Sequence, residues 1–407
     1  MEQPGPRGPS QLMLLATILV VAANLRPAIT VVGPLIERIG DDTGMDPAML
    51  GVLGAAPVFT FAAVSPFVHH LGRRVGRDRA IFLALLTLTV GTLLRAVEVI
   101  PSALFLGTVL LAGSIGVINV LVPILVKQDF PDRVPMMTAA YTAALTAAAA
   151  AASGTAVPLA DALGWQAALA GTGLLALLGA GLWSIRLSRR RGSSAPRASE
   201  RVPAAAGEER SVWTSALAWQ VTLFFGLQSS IFYFFLTWMA SIHTAQGFSE
   251  RAGGYGVAAF QAVGIVATLV VGRIMQRRDD HRLVAVGLGL AMATGVAGMI
   301  VLPPLMPVWA VVCGLASTAT LMLSLTMVSL RAGSAAQATR LSGMAQGVGY
   351  LIGGVLPVLA GQLFESTGSW EPPLYAALVV IGIYTGLGYV CGRDVRIPPA
   401  RPTSAHR

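Results

Sequence analysis

Long apolar segments alternate with short, mostly basic segments along this chain of 407 residues. A helix needs about 20 apolar residues to cross a hydrocarbon core of about 30 Å, and the apolar segments have this length. The pattern therefore predicts an all-α membrane protein with twelve transmembrane helices. The predicted spans are 12–36, 48–71, 80–98, 102–126, 135–160, 164–186, 213–242, 252–275, 283–302, 306–330, 339–364 and 373–392.

A polar interruption longer than the others separates the sixth predicted span from the seventh. It is rich in Arg, Ser, Pro and Ala, a composition typical of a flexible linker. The fifth and eleventh spans end alike, because 155–165 and 355–370 each contain a proline and then a Gly-Trp or Gly-Ser-Trp step. We therefore predict two pseudo-symmetric six-helix bundles. The predicted limits are 1–186 and 213–393 for the bundles, 187–212 for the linker and 394–407 for a tail.

The composition fits a chain surrounded by lipid, because 55% of its residues are hydrophobic and 12% are charged, whereas soluble domains average about 25% charged residues. Nucleic acid binding is not expected despite the net charge of +9, since the arginines lie in short loops and not on one polar face. With the N-terminus inside, 24 of the 28 Lys and Arg residues are cytoplasmic, while Arg38, Arg95 and Arg251 are outside. The positive-inside rule therefore predicts two cytoplasmic termini.

Arg26 is the one formal charge that the pattern places near the centre of a span. A charge at that depth costs at least about 2.5 kcal/mol and usually marks a ligand, an ion path or a partner charge. Pro27 and Pro34 follow on the same span and predict a kink, because each removes a backbone hydrogen bond. We interpret Arg26 as an anion-binding residue in a cavity. A structural arginine that caps backbone carbonyls is the alternative.

Few other large polar side chains remain within the predicted spans. Amides and phenols could supply neutral hydrogen bonds to a solute beside Arg26, although a helix–helix hydrogen bond is a serious alternative for each of them. Phe224, Gln228 and Phe232 follow at intervals of four residues, which places one amide between two rings on a helix face. The candidates for binding a solute together with Arg26 are Asn24, Asn119, Tyr141, Phe224, Gln228, Gln261, Gln346 and Tyr350.

The chain contains no Walker A, GxSxG or CxxC motif, so neither an enzyme nor a cofactor site is expected. His69 and His70 are adjacent, and neighbouring side chains diverge by about 100° around a helix, so we do not expect a metal site there. Proton-coupled transporters usually carry an acid or a histidine in the membrane. Glu37 and Glu98, at the outer ends of spans, are the candidates for coupling to protons.

The twelve spans, divided six and six, resemble the major facilitator superfamily. In that superfamily the loop after the second helix usually reads Gly-x-x-x-Asp-Arg-x-Gly-Arg-Arg. Residues 65–74 of this chain read SPFVHHLGRR, so the resemblance identifies Gly72, Arg73 and Arg74 as candidate gating residues. A serine and two histidines stand where the glycine, aspartate and arginine are expected, so the usual aspartate is missing from this stretch.

Several other stretches are similar to the cyanate permease/2-nitroimidazole transporter (CynX/NimT) family. They are 24–35, 119–134, 137–142, 218–229 and 335–351, which lie in both halves of the chain. The resemblance implies a monomer that moves a small anionic or polar solute across the bacterial inner membrane by alternating access, with the solute and the lipid bilayer as its partners. A broad-specificity drug efflux pump, favoured by the aromatic run 232–235, is the nearest alternative. A membrane receptor that does not transport is a remote one.

Overall fold

The computed structural model describes residues 11–97, 101–191, 211–275 and 280–398. Within these ranges the chain is helical, with short 3-10 helices at Gly33–Leu35, Pro131–Arg133, Val212–Thr214 and Pro303–Leu305. Glu98 and most of the predicted linker and tail lie outside the described residues. In chain order the α-helices are α1 (Gln11–Ala23), α2 (Pro27–Thr30), α3 (Ile36–Thr43), α4 (Pro47–Val75), α5 (Arg77–Leu94), α6 (Pro101–Asp129), α7 (Val134–Leu163), α8 (Trp165–Arg191), α9 (Ala216–Ala245), α10 (Glu250–Ala262), α11 (Gly264–Met275), α12 (Arg282–Val301), α13 (Met306–Leu330), α14 (Ala335–Gly353), α15 (Val355–Thr367) and α16 (Glu371–Cys391).

These helices form twelve membrane spans. Eleven stretches within the described ranges are long and apolar enough to cross a membrane. The remaining span is α5, which begins with Arg77, Asp78 and Arg79 and is apolar from Ala80 onward. The first span consists of α1 to α3, the eighth of α10 and α11, and the eleventh of α14 and α15. The prediction of an all-α protein with twelve spans is confirmed.

Some helices end at other residues than the sequence pattern predicts. The first span continues to Thr43 and not to 36, because the 3-10 turn that contains Pro34 leads directly into α3. Helix α5 ends at Leu94, four residues before the predicted end of the third span. Helix α8 continues to Arg191, beyond the predicted bundle limit at 186. The limits of the linker and the tail stay predictions.

The first span is interrupted at Asn24, Leu25 and Arg26. Arg26 has φ −128° and ψ −34°, which is outside the helical region, and it precedes the first residue of α2, Pro27. A proline at this position removes no hydrogen bond from the helix, because the first N–H groups of a helix have no intrahelical partner. The predicted kink beside Arg26 is thereby confirmed.

The two membrane faces are named here by one residue each. At the Asp161 face the chain turns between α3 and α4 and between α7 and α8. At the Asp78 face it turns between α4 and α5 and between α6 and α7. One core of buried apolar side chains lies within the first six spans. A second core fills the C-terminal bundle and reaches the first, second and fifth spans near the Asp161 face.

The two bundles pack together at the Asp161 face and separate toward the Asp78 face. Gly33 lies against the backbone of Leu236, and Gly361 lies against the backbone of Pro47, so neither position has room for a Cβ atom. Helix α10 packs along α7, whereas α11, which continues the same span toward the Asp78 face, has little contact with α7. The space between the bundles is therefore closed at the Asp161 face.

Candidate functional site

Arg26 lies at the break in the first span, with its guanidinium beside the C-terminal bundle. Its Cζ atom is 5.2 Å from the centroid of the Phe232 ring on α9, a distance typical of a cation–π contact. Arg26 is partly exposed, and its side chain makes no ion pair or hydrogen bond with any described residue. The N–H groups of this guanidinium are therefore available to a solute.

Tyr350 of α14 lies close enough to Arg26 for its hydroxyl to interact with the arginine charge. Its ring packs against Phe61 of the N-terminal bundle, with the centroids 5.8 Å apart, and against Phe225 of the C-terminal bundle at 5.3 Å. Aromatic pairs at these separations hold a ring in a defined orientation. Tyr350 is thus fixed between the bundles with a phenol near the guanidinium.

Tyr233 of α9, next to Phe232 in the chain, is a second phenol within range of the charge of Arg26. Its ring stands at 88° to that of Phe232, with the centroids 5.2 Å apart. Tyr233 and Tyr350 both pack against the core of the N-terminal bundle although they belong to the other bundle. The sequence pattern did not single out Tyr233, because its aromatic run is also typical of lipid-facing or packing residues.

The Arg26 group, which consists of Arg26, Phe232, Tyr233 and Tyr350, combines one positive charge with two phenols and an aromatic face. A guanidinium presents a planar fork of N–H donors that matches a carboxylate or a similar oxyanion. Phenols add hydrogen bonds that do not require a charge on the solute. The group is therefore suited to a small flat solute that carries a negative or strongly polarised oxygen.

Three of the residues predicted to bind the solute make hydrogen bonds or packing contacts within their own bundles instead. Asn24 is buried, and its Nδ2 atom donates hydrogen bonds to the carbonyl of Val20 at 2.8 Å and that of Leu175 at 3.2 Å, which joins the first span to the sixth. Gln228 is buried and donates to the carbonyl of Ser317 on α13 at 3.2 Å. Phe224 is buried against the ring of Tyr384, and the structure brings none of these three to the Arg26 group.

Gln261 joins the two bundles. It lies next to the break between α10 and α11, and its Nε2 atom donates to the hydroxyl of Ser153 at 3.0 Å and to the carbonyl of Ala149 at 3.4 Å, both on α7. Its Oε1 atom is buried without a partner in the described structure. Gln261 therefore belongs to the contact between the bundles, and the helix–helix hydrogen bond is the interpretation that its geometry favours.

The remaining candidates lie apart from these contacts. Gln346 is partly buried and donates to the hydroxyl of Ser342 on its own helix at 3.0 Å. Asn119 is exposed on α6, and Tyr141 is partly buried against the core of the N-terminal bundle. The structure assigns none of the three to the Arg26 group.

Arg95 corrects the expectation that it lies in an outer loop. It is 1% exposed, and its Nη1 atom donates to the carbonyl of Ala28 at 2.6 Å, two residues after Arg26. The bundles thus hold two arginines beside the break in the first span, where the pattern predicts one charge. The end of the apolar run at Leu94 resembles a span boundary, and only the packing of its neighbours shows that the helix end is covered.

The Asp161 cluster consists of Arg38, Asp161, Glu250 and Arg251 and crosses from one bundle to the other. Arg38 pairs with Glu250 at 2.6 Å and with Asp161 at 2.7 Å, and Asp161 also pairs with Arg251 at 2.6 Å. Beside the cluster, the carboxylate of Glu37 accepts hydrogen bonds from the hydroxyl of Thr244 at 3.0 and 3.3 Å. The candidate proton acceptor is therefore exposed and hydrogen-bonded across the bundle contact.

The candidate gating residues lie at the Asp78 face. Gly72 is buried, and an added Cβ there would come within 3.2 Å of the side chain of Leu121 on α6, so the glycine permits close packing of the second and fourth spans. Arg74 is exposed. The side chain of Arg73 lies outside the part of the chain that the structure describes.

The Arg186 cluster, formed by Arg186, Asp78 and Asp129, lies beside these residues within the N-terminal bundle. Arg186 pairs with Asp129 at 2.6 Å and with Asp78 at 2.8 Å, and its side chain is fully buried. Its guanidinium also lies 4.8 Å from the ring of Trp183. Asp78 and Asp129 thus pair with an arginine of their own bundle, and the cluster connects α5, α6 and α8.

Known proteins resemble this chain over nearly its whole length. The family model described as Major Facilitator Superfamily matches residues 18–354. The 2-nitroimidazole transporter of Escherichia coli (strain K12) is 36% identical over 393 residues, covering 96% of this chain and 98% of that protein. The cyanate transport protein CynX of the same organism is 28% identical over 377 residues, covering 91% and 95%.

A crystal structure of a bacterial homolog to the human lysosomal transporter Spinster, in an inward-facing and occupied conformation, superposes with a TM-score of 0.75. It is 16% identical and covers 97% of this chain and 100% of that one, a likeness that shows the fold. The chain belongs to the major facilitator superfamily of membrane transporters. Within the superfamily, its identity to the nitroimidazole and cyanate transporters places it in the cyanate permease/2-nitroimidazole transporter family.

Proposed function

We propose that this transporter carries a small flat solute with an anionic or strongly polarised oxygen, and that Arg26 binds that oxygen between the bundles. The observation that carries the proposal is the partly exposed guanidinium of Arg26, which has no carboxylate partner among the described residues. An unpaired charge of this kind in a membrane protein usually serves a ligand or an ion path.

Two relatives support this class of solute. One is named for 2-nitroimidazole and the other for cyanate. A nitroimidazole is a flat ring with a polarised nitro group, and cyanate is a small anion. Both suit a guanidinium fork beside aromatic faces and phenols.

Alternating access gives the Arg26 group a role in movement as well as in binding. Arg26 belongs to the N-terminal bundle, while Phe232, Tyr233 and Tyr350 belong to the C-terminal bundle. A solute that contacts both sides binds best when the bundles are close together, and a ligand can shift a conformational equilibrium by its difference in affinity for the two states. Rocking of the bundles about this group would then expose the solute to each side in turn.

The Asp78 face is assigned to the cytoplasm in this proposal. Arg74, Arg77, Arg79 and Arg133 all lie at that face, and the excess of basic residues in short loops marks the cytoplasmic side. Both termini are then cytoplasmic, in a protein of the bacterial inner membrane that functions as a monomer. With that assignment, the face at which the bundles close is the outer one. The N-terminal bundle then includes all of α8 to Arg191, and 213–393 for the C-terminal bundle and 394–407 for the tail stay predictions.

Energy coupling depends on the charge of the solute. Moving a monoanion inward against about 100 mV costs about 2.3 kcal/mol, so concentrative uptake needs a coupled proton or exchange. Glu37, which accepts a hydrogen bond from Thr244 across the bundle contact, is the candidate acid for that proton. Without such coupling, the protein exports or equilibrates its solute.

The proposal is tested by ligand-induced stabilisation of the purified full-length protein. The panel contains cyanate, nitrate, 2-nitroimidazole, small carboxylates and lipophilic cations, and the variants are Arg26→Gln, Tyr233→Phe and Tyr350→Phe. A ligand that binds the folded state at 100 times its Kd stabilises it by about 2.7 kcal/mol. We expect an anion or nitroimidazole to stabilise the wild type and not to stabilise Arg26→Gln. The same ligand should stabilise Tyr233→Phe and Tyr350→Phe less than the wild type.

Arg133→Gln is the matched control, because Arg133 is exposed on a short 3-10 helix. It should respond to every ligand as the wild type does. Equal stabilisation of the wild type and Arg26→Gln by lipophilic cations would instead establish Arg26 as structural and favour a drug efflux pump. The solute that stabilises the wild type is then used for flux measurements in proteoliposomes.

A further inference from the structure

A small cavity separate from the Arg26 group lies between the bundles near Arg95. Ala28, Gly33, Arg95 and Thr108 line it from the N-terminal bundle, and Leu236 and Thr237 line it from the C-terminal bundle. The space open to the centre of a water-sized sphere is about 20 Å³. One water needs about 10–15 Å³ by this measure, so the cavity suits one or two waters or one small ion.

The side chain of Arg95 leaves part of its charge unsatisfied in this cavity. One N–H group donates to Ala28, but the Nε and Nη2 atoms are buried and have no partner among the described residues. A guanidinium has five N–H donors, so the carbonyl of Ala28 satisfies a minor part of it. A buried charge without a counter-charge is strongly unfavourable, and an anion in the cavity would supply the missing charge.

The stem of Arg95 is packed tightly at the contact between α5 and α6. Gly91 of α5 and Gly107 of α6 lie so close that a Cβ on either would fall within 3 Å of the other helix's backbone. A Cβ on Gly107 would also lie 2.6 Å from the Cγ atom of Arg95, which shows that the stem of the arginine runs along this glycine. The packed stem keeps the guanidinium buried, at 1% exposure, where a charge without a counter-charge is unfavourable.

We infer that Arg95 and this cavity form a second anion site, selective for a small inorganic monoanion the size of chloride. The Nε and Nη2 groups of Arg95 donate to the ion from one side, and the hydroxyl of Thr237 donates from the other. Leu236 and Thr237 complete the site only when the bundles are closed at the Asp161 face, so the ion stabilises that closed state. The site does not depend on which solute Arg26 binds.

The test is an anion titration of the purified full-length protein, in which sodium chloride replaces sodium gluconate at constant ionic strength. Thermal unfolding and calorimetry report binding. Chloride should raise the midpoint temperature of the wild type and of Arg26→Gln alike. Arg95→Gln should bind chloride about tenfold or more weakly, because a hydrogen bond to a charged group contributes at least about 1.5 kcal/mol and a tenfold change corresponds to 1.4 kcal/mol.

Thr237→Val and Thr92→Val form a matched pair that does not disturb the buried charge. Thr237 lines the cavity, whereas Thr92 is buried on α5 and donates to the carbonyl of Leu88 within its own helix. Chloride affinity should fall in Thr237→Val and stay unchanged in Thr92→Val. The inference is overturned by equal unfolding temperatures of the wild type in chloride and gluconate, or by unchanged chloride affinity in Arg95→Gln. If Arg95→Gln does not fold, unchanged affinity in Thr237→Val overturns it.

Discussion

Two clusters of arginines and aspartate or glutamate residues, at opposite membrane faces, differ in what they connect. The Asp161 cluster joins the first and fifth spans to the eighth, and its side chains are 29–59% exposed. The Arg186 cluster joins the third, fourth and sixth spans of one bundle, and its side chains are 0–18% exposed. The same ion-pair chemistry thus closes a gap between the bundles at one face and holds one bundle together at the other.

The difference in burial suits the two tasks. An exposed ion pair is weak because water and salt screen it, so pairs that must break in every transport cycle are best left exposed. A buried pair is strongly destabilised when one partner is removed, because the other charge stays behind in a medium of low dielectric constant. The Asp161 cluster is therefore suited to a gate between the bundles. The Arg186 cluster is suited to a permanent connection between helices of one bundle.

Removal of Arg186 should produce the largest effect on stability. Arg186→Met removes the buried guanidinium that pairs with Asp129 and Asp78, and breaking a buried pair in this way typically costs about 3–5 kcal/mol. We expect a large fall in folded protein and in the unfolding temperature, measured in detergent. Arg133→Gln, which removes an exposed charge at the same face, is the control. An unfolding temperature close to that of the wild type would show that the Arg186 cluster does not stabilise the N-terminal bundle.

Replacement of one glycine at the bundle contact by alanine should produce an intermediate effect on stability. Gly361 has the backbone of Pro47 and the ring of Trp238 around it, so Gly361→Ala overpacks the contact at a cost of about 1–3 kcal/mol. Gly347 lies on the same span, and an added Cβ there would meet no atom within 4 Å. Gly347→Ala should be neutral or stabilising by up to about 1 kcal/mol, because alanine favours the helix. Equal destabilisation by both variants would contradict a closure restricted to the Asp161 face.

Reversal of one charge in the Asp161 cluster should have the smallest effect on stability but a clear effect on conformation. Arg251→Glu replaces attraction to Asp161 with repulsion and should open this face. Maleimide labelling of a cysteine introduced at Thr237 should then become several-fold faster, while the unfolding temperature changes little. Arg133→Glu, which reverses an exposed charge at the opposite face, is the control and should leave labelling slow. A high concentration of sodium gluconate should accelerate labelling of the protein without the charge reversal, since salt screens exposed charges. A labelling rate that does not change in Arg251→Glu would exclude a gating role for the Asp161 cluster.

The position of Arg26 could be derived from the chain alone, and the partners of the other candidates could not. Depth along a span follows from the count of apolar residues, and the kink follows from Pro27, so the break beside Arg26 was predictable. The hydrogen-bond partner of a polar side chain does not follow from its position in the sequence. An amide can form its hydrogen bonds equally well with a neighbouring carbonyl or with a solute. Packing alone turned Asn24 toward Leu175 and Gln228 toward Ser317.

The apolar and basic pattern by itself determined that this is an all-α protein with twelve membrane spans, because lipid requires helices of a certain length and basic residues collect in the loops between them. The tertiary structure decided which charges are buried. Arg95 and Arg186 follow apolar runs and look like span ends, but neighbouring helices cover both. Burial is a property of the surrounding spans, which are distant in sequence, so no local pattern around either arginine could reveal it.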